Sequence, residues 1–175
     1  MKYLNIIVFV LFALQSHSAN AQGAKEDGHF SQFGVFMGKM LPNGLDSEDE
    51  IFSLSGLRYS SPIGKGNGYA DFGAIMGNGD GVKWQGAFVS VSMHIPVETL
   101  IGHAGVGLDF TRYEASETDA AKNIGGGHFI GGIMSKIGGN VLARFDMKLN
   151  SKPGTSLFFG FGLVFEFDGA GDGAE

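Results

Sequence analysis

Along residues 140 to 151, NVLARFDMKLNS, apolar and polar side chains alternate. Val141, Ala143, Phe145, Met147 and Leu149 share one side of an extended chain, opposite Leu142, Arg144, Asp146, Lys148 and Asn150. The same period of two recurs over 29 to 41, 51 to 61, 68 to 77, 84 to 95, 100 to 113, 124 to 136, 140 to 150 and 156 to 167, and no long 3.6-residue apolar period lies between them. The pattern predicts eight strands of ten to fourteen residues. They exceed the usual soluble strand of about 5 to 6 residues and approach the about 9 to 11 that a tilted strand needs to cross a bilayer.

Two connection types alternate. PNGLDSEDE, NGDGV, EASETDAAKN and SKPGT fall at one end, and PIGKGN, PVET and GGN at the other, with both termini on the side of the shorter set. Short turns on one side and longer loops on the other suit a membrane barrel.

The composition of the two faces decides which one points inward. In 156 to 167, Leu157, Phe159, Phe161, Leu163, Phe165 and Phe167 oppose Ser156, Phe158, Gly160, Gly162, Val164 and Glu166; in 100 to 113, Ala104, Val106, Leu108 and Phe110 oppose His103, Gly105, Gly107, Asp109 and Thr111. The second face is mostly small, without the dense mixed charge that keeps a soluble surface in solution. Small residues suit the narrow interior of eight strands, so the Phe-rich face is predicted to meet lipid. Charges at a lipid-facing midplane cost about 2 to 4 kcal/mol, which turns Arg144, Asp146 and Lys148 inward. Asp71, Asp109 and Glu166 are their candidate partners, and His94, His103 and His128 share the phase. Paired, these groups form a closed interior network rather than an open pore. Arg58 shares its phase with Phe52 and Leu54, which calls for a bulge or a rim position. Trp84, Tyr59, Tyr69 and Tyr113 fall near strand ends, where an interfacial aromatic belt belongs.

Composition narrows the class further. Thirty glycines without a period of three exclude collagen, and sixteen phenylalanines interleaved with them argue against disorder. Residues 1 to 21 have a Lys2 start, an apolar run from Leu4 to Leu14 and small residues at Ala19 and Ala21, the pattern of a cleaved signal peptide. That run is too short for a spanning helix, which needs about 20 apolar residues. The expected organisation is a signal peptide at 1 to 21, a short periplasmic segment at 22 to 28, one barrel domain at 29 to 167 and an acidic glycine-rich tail at 168 to 175. Without Lys2 the processed chain has eleven Lys plus Arg against eighteen Asp plus Glu, a net of −7 with no basic cluster, which argues against nucleic-acid binding. Cysteine is absent, so an exported chain of this length is held by burial or lipid rather than by disulfides.

An export signal, eight amphipathic strands and a last strand ending GLVFEF resemble the small outer-membrane β-barrels, similar to the membrane domain of outer-membrane protein A and to opacity-type surface proteins. Gly162, Phe165 and Phe167 match that family's C-terminal insertion pattern, although DGAGDGAE follows Phe167 here. The resemblance implies an all-β, eight-stranded antiparallel up-and-down transmembrane β-barrel. Such a protein sits as a monomer in a Gram-negative cell outer membrane, in contact with outer-membrane lipids, after insertion by the barrel-assembly machinery.

No G-x-G-x-x-G, P-loop, G-x-S-x-G or H-E-x-x-H motif occurs, so no phosphate, hydrolase or zinc signature is present. Asp46, Glu48 and Glu50 have the initial spacing of a calcium loop, but Ile51 and Leu57 occupy the glycine and bidentate-glutamate positions, so no metal is expected there. His94 with Ser90 or Ser92, and His103 with Asp109, are the candidate catalytic pairs, but no orienting acid accompanies the first. The expectation is therefore a non-enzymatic barrel without a cofactor, with a structural or surface-interaction role. The alternatives are a lipid-modifying enzyme of the same fold, a soluble lipocalin-like barrel binding an apolar ligand, and a narrow pore.

Overall fold

The computed structural model describes residues 30–41, 51–64, 66–79, 82–115, 120–152 and 155–167. The signal peptide, the 22 to 28 segment, the acidic run around Asp46, Glu48 and Glu50, and the C-terminal tail lie outside the described residues. Eight strands follow one another: β1 (Ser31–Leu41), β2 (Phe52–Ile63), β3 (Gly68–Gly79), β4 (Val82–Val97), β5 (Leu100–Ala115), β6 (Ala120–Gly138), β7 (Val141–Asn150) and β8 (Ser156–Phe167). Each pairs antiparallel with the next, and β1 closes on β8 from Ser31 opposite Phe167 to Leu41 opposite Leu157. Closure pairs every strand on both sides through the barrel's middle, a requirement wherever water cannot satisfy the backbone, and only beyond it does β6 from Ala120 to Gly127 run past its last β7 partner.

The predicted elements match in number and order. β4, β5 and β6 run two to four residues further at their ends, so Val82 pairs with Gly79 and Ala115 with Ala120 inside stretches expected as loops. Backbone pairing continues past the apolar stretch because a ladder bond does not depend on side-chain polarity. At the opposite end two tight turns join β4 to β5 and β6 to β7. Gly139 adopts φ 50° in the second, where a residue without Cβ is relaxed, and Glu98 takes φ 52° in the first.

The distribution of side chains is inside out. Among the described residues, seventeen buried residues are polar or charged against twelve buried hydrophobics, while twenty-seven large hydrophobics are exposed. Water would penalise such a wall heavily, and lipid does not. Phe33, Phe110, Phe129, Phe161 and Phe165 face outward, and Arg144, Asp146 and Lys148 face inward, which removes the lipocalin-like arrangement with its aromatic interior. On β4 the outward positions from Ala87 to Val97 are all apolar apart from the terminal turn, a run of about 33 Å along the strand. Tilted by about 40°, it stands about 25 Å tall, the height of a membrane barrel's apolar band.

β2 corrects one expectation. Phe52, Leu54 and Arg58 all point inward in unbroken register with β1 and β3, with no bulge and no rim position. The reason is that the lumen is not uniformly polar. Met40, Phe52, Leu54, Trp84 and Phe158 form an apolar plug at the end where β1 joins β2. Met134, Leu142 and Val164 form a second, smaller cluster toward the other end. Trp84 and Tyr69 therefore lie inside the barrel, not in an interfacial belt, while Tyr59 faces outward beside Phe167.

Glycines make this packing possible. The Phe88 ring lies over Gly73, and the Phe158 ring over Gly160, so each large side chain has a neighbour without one. A methyl group at Gly73 would meet the Phe88 ring and the Leu57 carbonyl. We expect Gly73→Ala to destabilise the barrel by about 1 to 3 kcal/mol, read as a lower urea midpoint in lipid vesicles. An unchanged midpoint would show that Phe88 has another place to go.

Candidate functional site

The lumen is the site that the sequence singled out, and three clusters occupy its middle. Asp146 on β7 is the centre of the first. Arg58 Nη1 donates to its Oδ2 at 3.1 Å, Arg144 Nε to its Oδ1 at 2.9 Å, and His103 Nε2 to its Oδ1 at 2.7 Å. A carboxylate with two oxygens accepts all three, and the charge-assisted bonds offset the desolvation of the group. Arg58 also stacks between Phe36 and Phe88, with its guanidinium carbon 5.5 and 5.3 Å from the two ring centres.

Asp109 on β5 centres the second cluster. His128 Nδ1 lies 2.8 Å from its Oδ2, Lys148 Nζ donates to its Oδ1, and the same ammonium sits 4.7 Å from the Phe88 ring centre. Asp71 on β3 centres the third, accepting from the hydroxyls of Ser60 at 2.5 Å and Ser92 at 2.7 Å, with Ser90 farther off at 3.5 Å. Three buried cations, Arg58, Arg144 and Lys148, thus face three buried carboxylates, Asp71, Asp109 and Asp146. Between the Lys, Arg and Asp side chains the formal charges balance, three against three.

Between the apolar plug and the Asp109 cluster the lumen keeps a cavity of about 20 Å³, bordered by Phe88, Lys148 and Phe158. That is room for about one water molecule.

No protein-family model and no curated protein sequence matches the chain. Solved structures do. The N-terminal β-barrel domain of Pseudomonas aeruginosa OprF is similar with a TM-score of 0.63 at 13% identity, covering 81% of this chain and 100% of that one. Neisserial surface protein A is similar with a TM-score of 0.64 at 12% identity, covering 81% and 98%. The chain shares the closed eight-stranded antiparallel fold of these two outer-membrane barrels. A de novo designed transmembrane β-barrel also matches, with a TM-score of 0.52 at 13% identity over 81% of this chain and 98% of its own. Likeness to a designed chain reflects shared strand number and inward-outward patterning rather than shared residues.

Within this barrel the predicted lumen residues have distinct places. Asp109, His128 and Lys148 meet in one cluster, and His103, Arg144 and Asp146 in another. Asp71 stands apart among serines. His94 is buried but stacks on Tyr69, with ring centres 3.9 Å apart, and contacts the edge of His103. Glu166 lies near the chain-terminus end of the lumen, where Gln32 Nε2 approaches it at 3.4 Å, and it joins none of the three cations. Arg58 is the ion-pair residue absent from the predicted set. The available signal was the cost of any other placement: a mid-strand guanidinium sharing its phase with Phe52 and Leu54 costs about 2 to 4 kcal/mol if that face meets lipid.

The catalytic pairings do not form. Ser90 and Ser92 turn their hydroxyls to Asp71 rather than to His94, and His103 bonds Asp146 rather than Asp109. A nucleophile needs its base within hydrogen-bond reach, and neither Ser90 nor Ser92 is bonded to His94. Gly162, Phe165 and Phe167 occupy the last strand, the two aromatics facing outward and Gly162 packed against Phe36 inside.

Proposed function

We propose that this chain is an integral outer-membrane protein with a closed, salt-bridged lumen and a structural or surface-interaction role, and that it is not an enzyme. One observation carries the reading: a continuous apolar wall surrounds an interior in which every carboxylate of the middle section is hydrogen-bonded. Such an interior holds strands together and passes neither lipid nor solute. Surface contact then falls to the acidic β1–β2 connection, whose Asp46, Glu48, Asp49 and Glu50 carry one sign of charge. Gly162, Phe165 and Phe167 serve as the insertion signal read by the barrel-assembly machinery, and the folded barrel works as a monomer among outer-membrane lipids.

Topology and closure are each testable. The chain has no cysteine, so Ser47→Cys in the acidic connection and Thr99→Cys in the β4–β5 turn introduce single thiols. On intact cells a membrane-impermeant maleimide should label the first and not the second, and the reverse pattern would overturn the surface role. In a planar bilayer the purified barrel should show no steady single-channel conductance. Regular open events would replace the closed lumen with the narrow pore.

A further inference from the structure

The outer wall carries a groove of about 690 Å³ that neither the lumen nor the fold requires. It runs along β2, where Ser53 and Ser55 face outward between longer side chains on either side. Ser53 lies opposite Lys39 and Asn78, Asn78 opposite Lys83 and Lys83 opposite Glu114, so one register row across β1 to β5 reads Lys, Ser, Asn, Lys, Glu. The next row toward the barrel's middle changes character: Ser55 lies between Met37 and Met76, with Phe161 beyond Met37 and Gln85 closing the row beyond Met76. A polar, cationic shelf therefore stands over an apolar trough.

Among the described residues the cations of this wall outnumber its carboxylates, since Glu114 stands opposite Lys83 in the register but is bonded to Arg112. Arg112, on the same wall, is paired with Glu114 at 2.6 Å. Among the described residues Lys39 reaches only the Ser53 hydroxyl, at 2.7 Å, and Lys83 has no carboxylate in ion-pair distance. On β4 Lys83 and Gln85 stand just outside the apolar run that begins at Ala87, at the level where lipid head groups replace acyl chains.

We propose that this groove binds a membrane lipid with an anionic phosphate head group. The inference rests on the membrane reading above. Its phosphate bridges Lys39 and Lys83, Ser53 and Asn78 donate hydrogen bonds to it, and one acyl chain lies in the trough over Ser55 between the two methionines. Lysine suits this task as a flexible point charge, and its stem covers the apolar rim below it. A second copy of the chain fits poorly, since a two-fold contact through this face would bring the same cations together.

Native mass spectrometry of the detergent-folded full chain tests the assignment with phosphatidic acid, phosphatidylcholine of the same acyl chains, and inorganic phosphate as probes. The wild type should retain one phosphatidic acid in preference to phosphatidylcholine. The Lys39→Gln, Lys83→Gln double variant should weaken that retention roughly tenfold or more. A Lys122→Gln, Lys136→Gln control removes the same charge elsewhere and should leave it unchanged. Equal retention by wild type and double variant, equal weakening by the control, or displacement of the lipid by millimolar inorganic phosphate would each overturn the proposal. A heat-modifiability gel on the same samples separates the two readings. A folded, heat-modifiable barrel indifferent to the lysines sinks only the lipid site, whereas a chain that is soluble without detergent and shows no gel shift sinks the membrane reading.

Discussion

Asp146→Ala should destabilise the barrel by about 3 to 5 kcal/mol, the cost of leaving buried charge without its partner. Arg58 and Arg144 both depend on this carboxylate, and His103 donates to it as well. Without it two buried guanidiniums lose their shared counter-charge, and cation–π contact with Phe36 and Phe88 stabilises only Arg58. The measurement is the urea midpoint in lipid vesicles, followed through Trp84 fluorescence and the heat-modifiable band. The companion variant separates charge from packing. Replacing Arg58 and Arg144 with Met together with Asp146→Leu removes the whole charged group, and buried ionic clusters exchanged for apolar residues of similar volume are often neutral or stabilising. That triple variant should recover most of the loss. If Asp146→Ala matched the wild type, the lumen would be wet enough to solvate two arginines, and the closed interior would have to be abandoned.

Val91→Arg should cost about 2 to 4 kcal/mol in a bilayer, because Val91 lies near the centre of the apolar run on β4 and faces outward. The opposite outcome is informative. On a water-exposed wall the same substitution at a half-exposed valine, 54% accessible, would fall within about 0.5 kcal/mol of neutral and would raise solubility. The two environments therefore predict different results for one mutation. Refolding the variant into vesicles and comparing its urea midpoint with the wild type distinguishes them. A midpoint that does not move would mean that this wall never meets hydrocarbon.

The strand count, order and phase were legible because a period of two fixes which side chains travel together, whatever surrounds them. β7 shows this most clearly, since Arg144, Asp146 and Lys148 cannot be separated from one another by any register slip. Membership of one strand face was legible for the same reason. Partnership was not. His103 and Asp109 are six residues apart on one strand face, yet His103 meets Asp146 and Asp109 meets His128. Which groups touch across a closed barrel depends on the stagger between strands, and no local pattern records that quantity. Arg58 was misjudged on the same account. Phe52 and Leu54 looked like a lipid face because a mixed lumen, apolar at one end and ionic in the middle, cannot be distinguished from an outer wall within one strand.

Alternation, chain-wide glycine and the want of exposed charge determined by themselves that the chain forms eight amphipathic ribbons with small residues on one side and phenylalanine on the other. Only the closed structure decided where the plug sits, which acid holds which base, and that Lys39 and Lys83 stand in one row with a trough beneath them. The division has a physical basis. Periodicity is a property of the backbone and survives in any environment, whereas contacts across the lumen and along the wall exist only once strand pairing has set every strand's height against its neighbours.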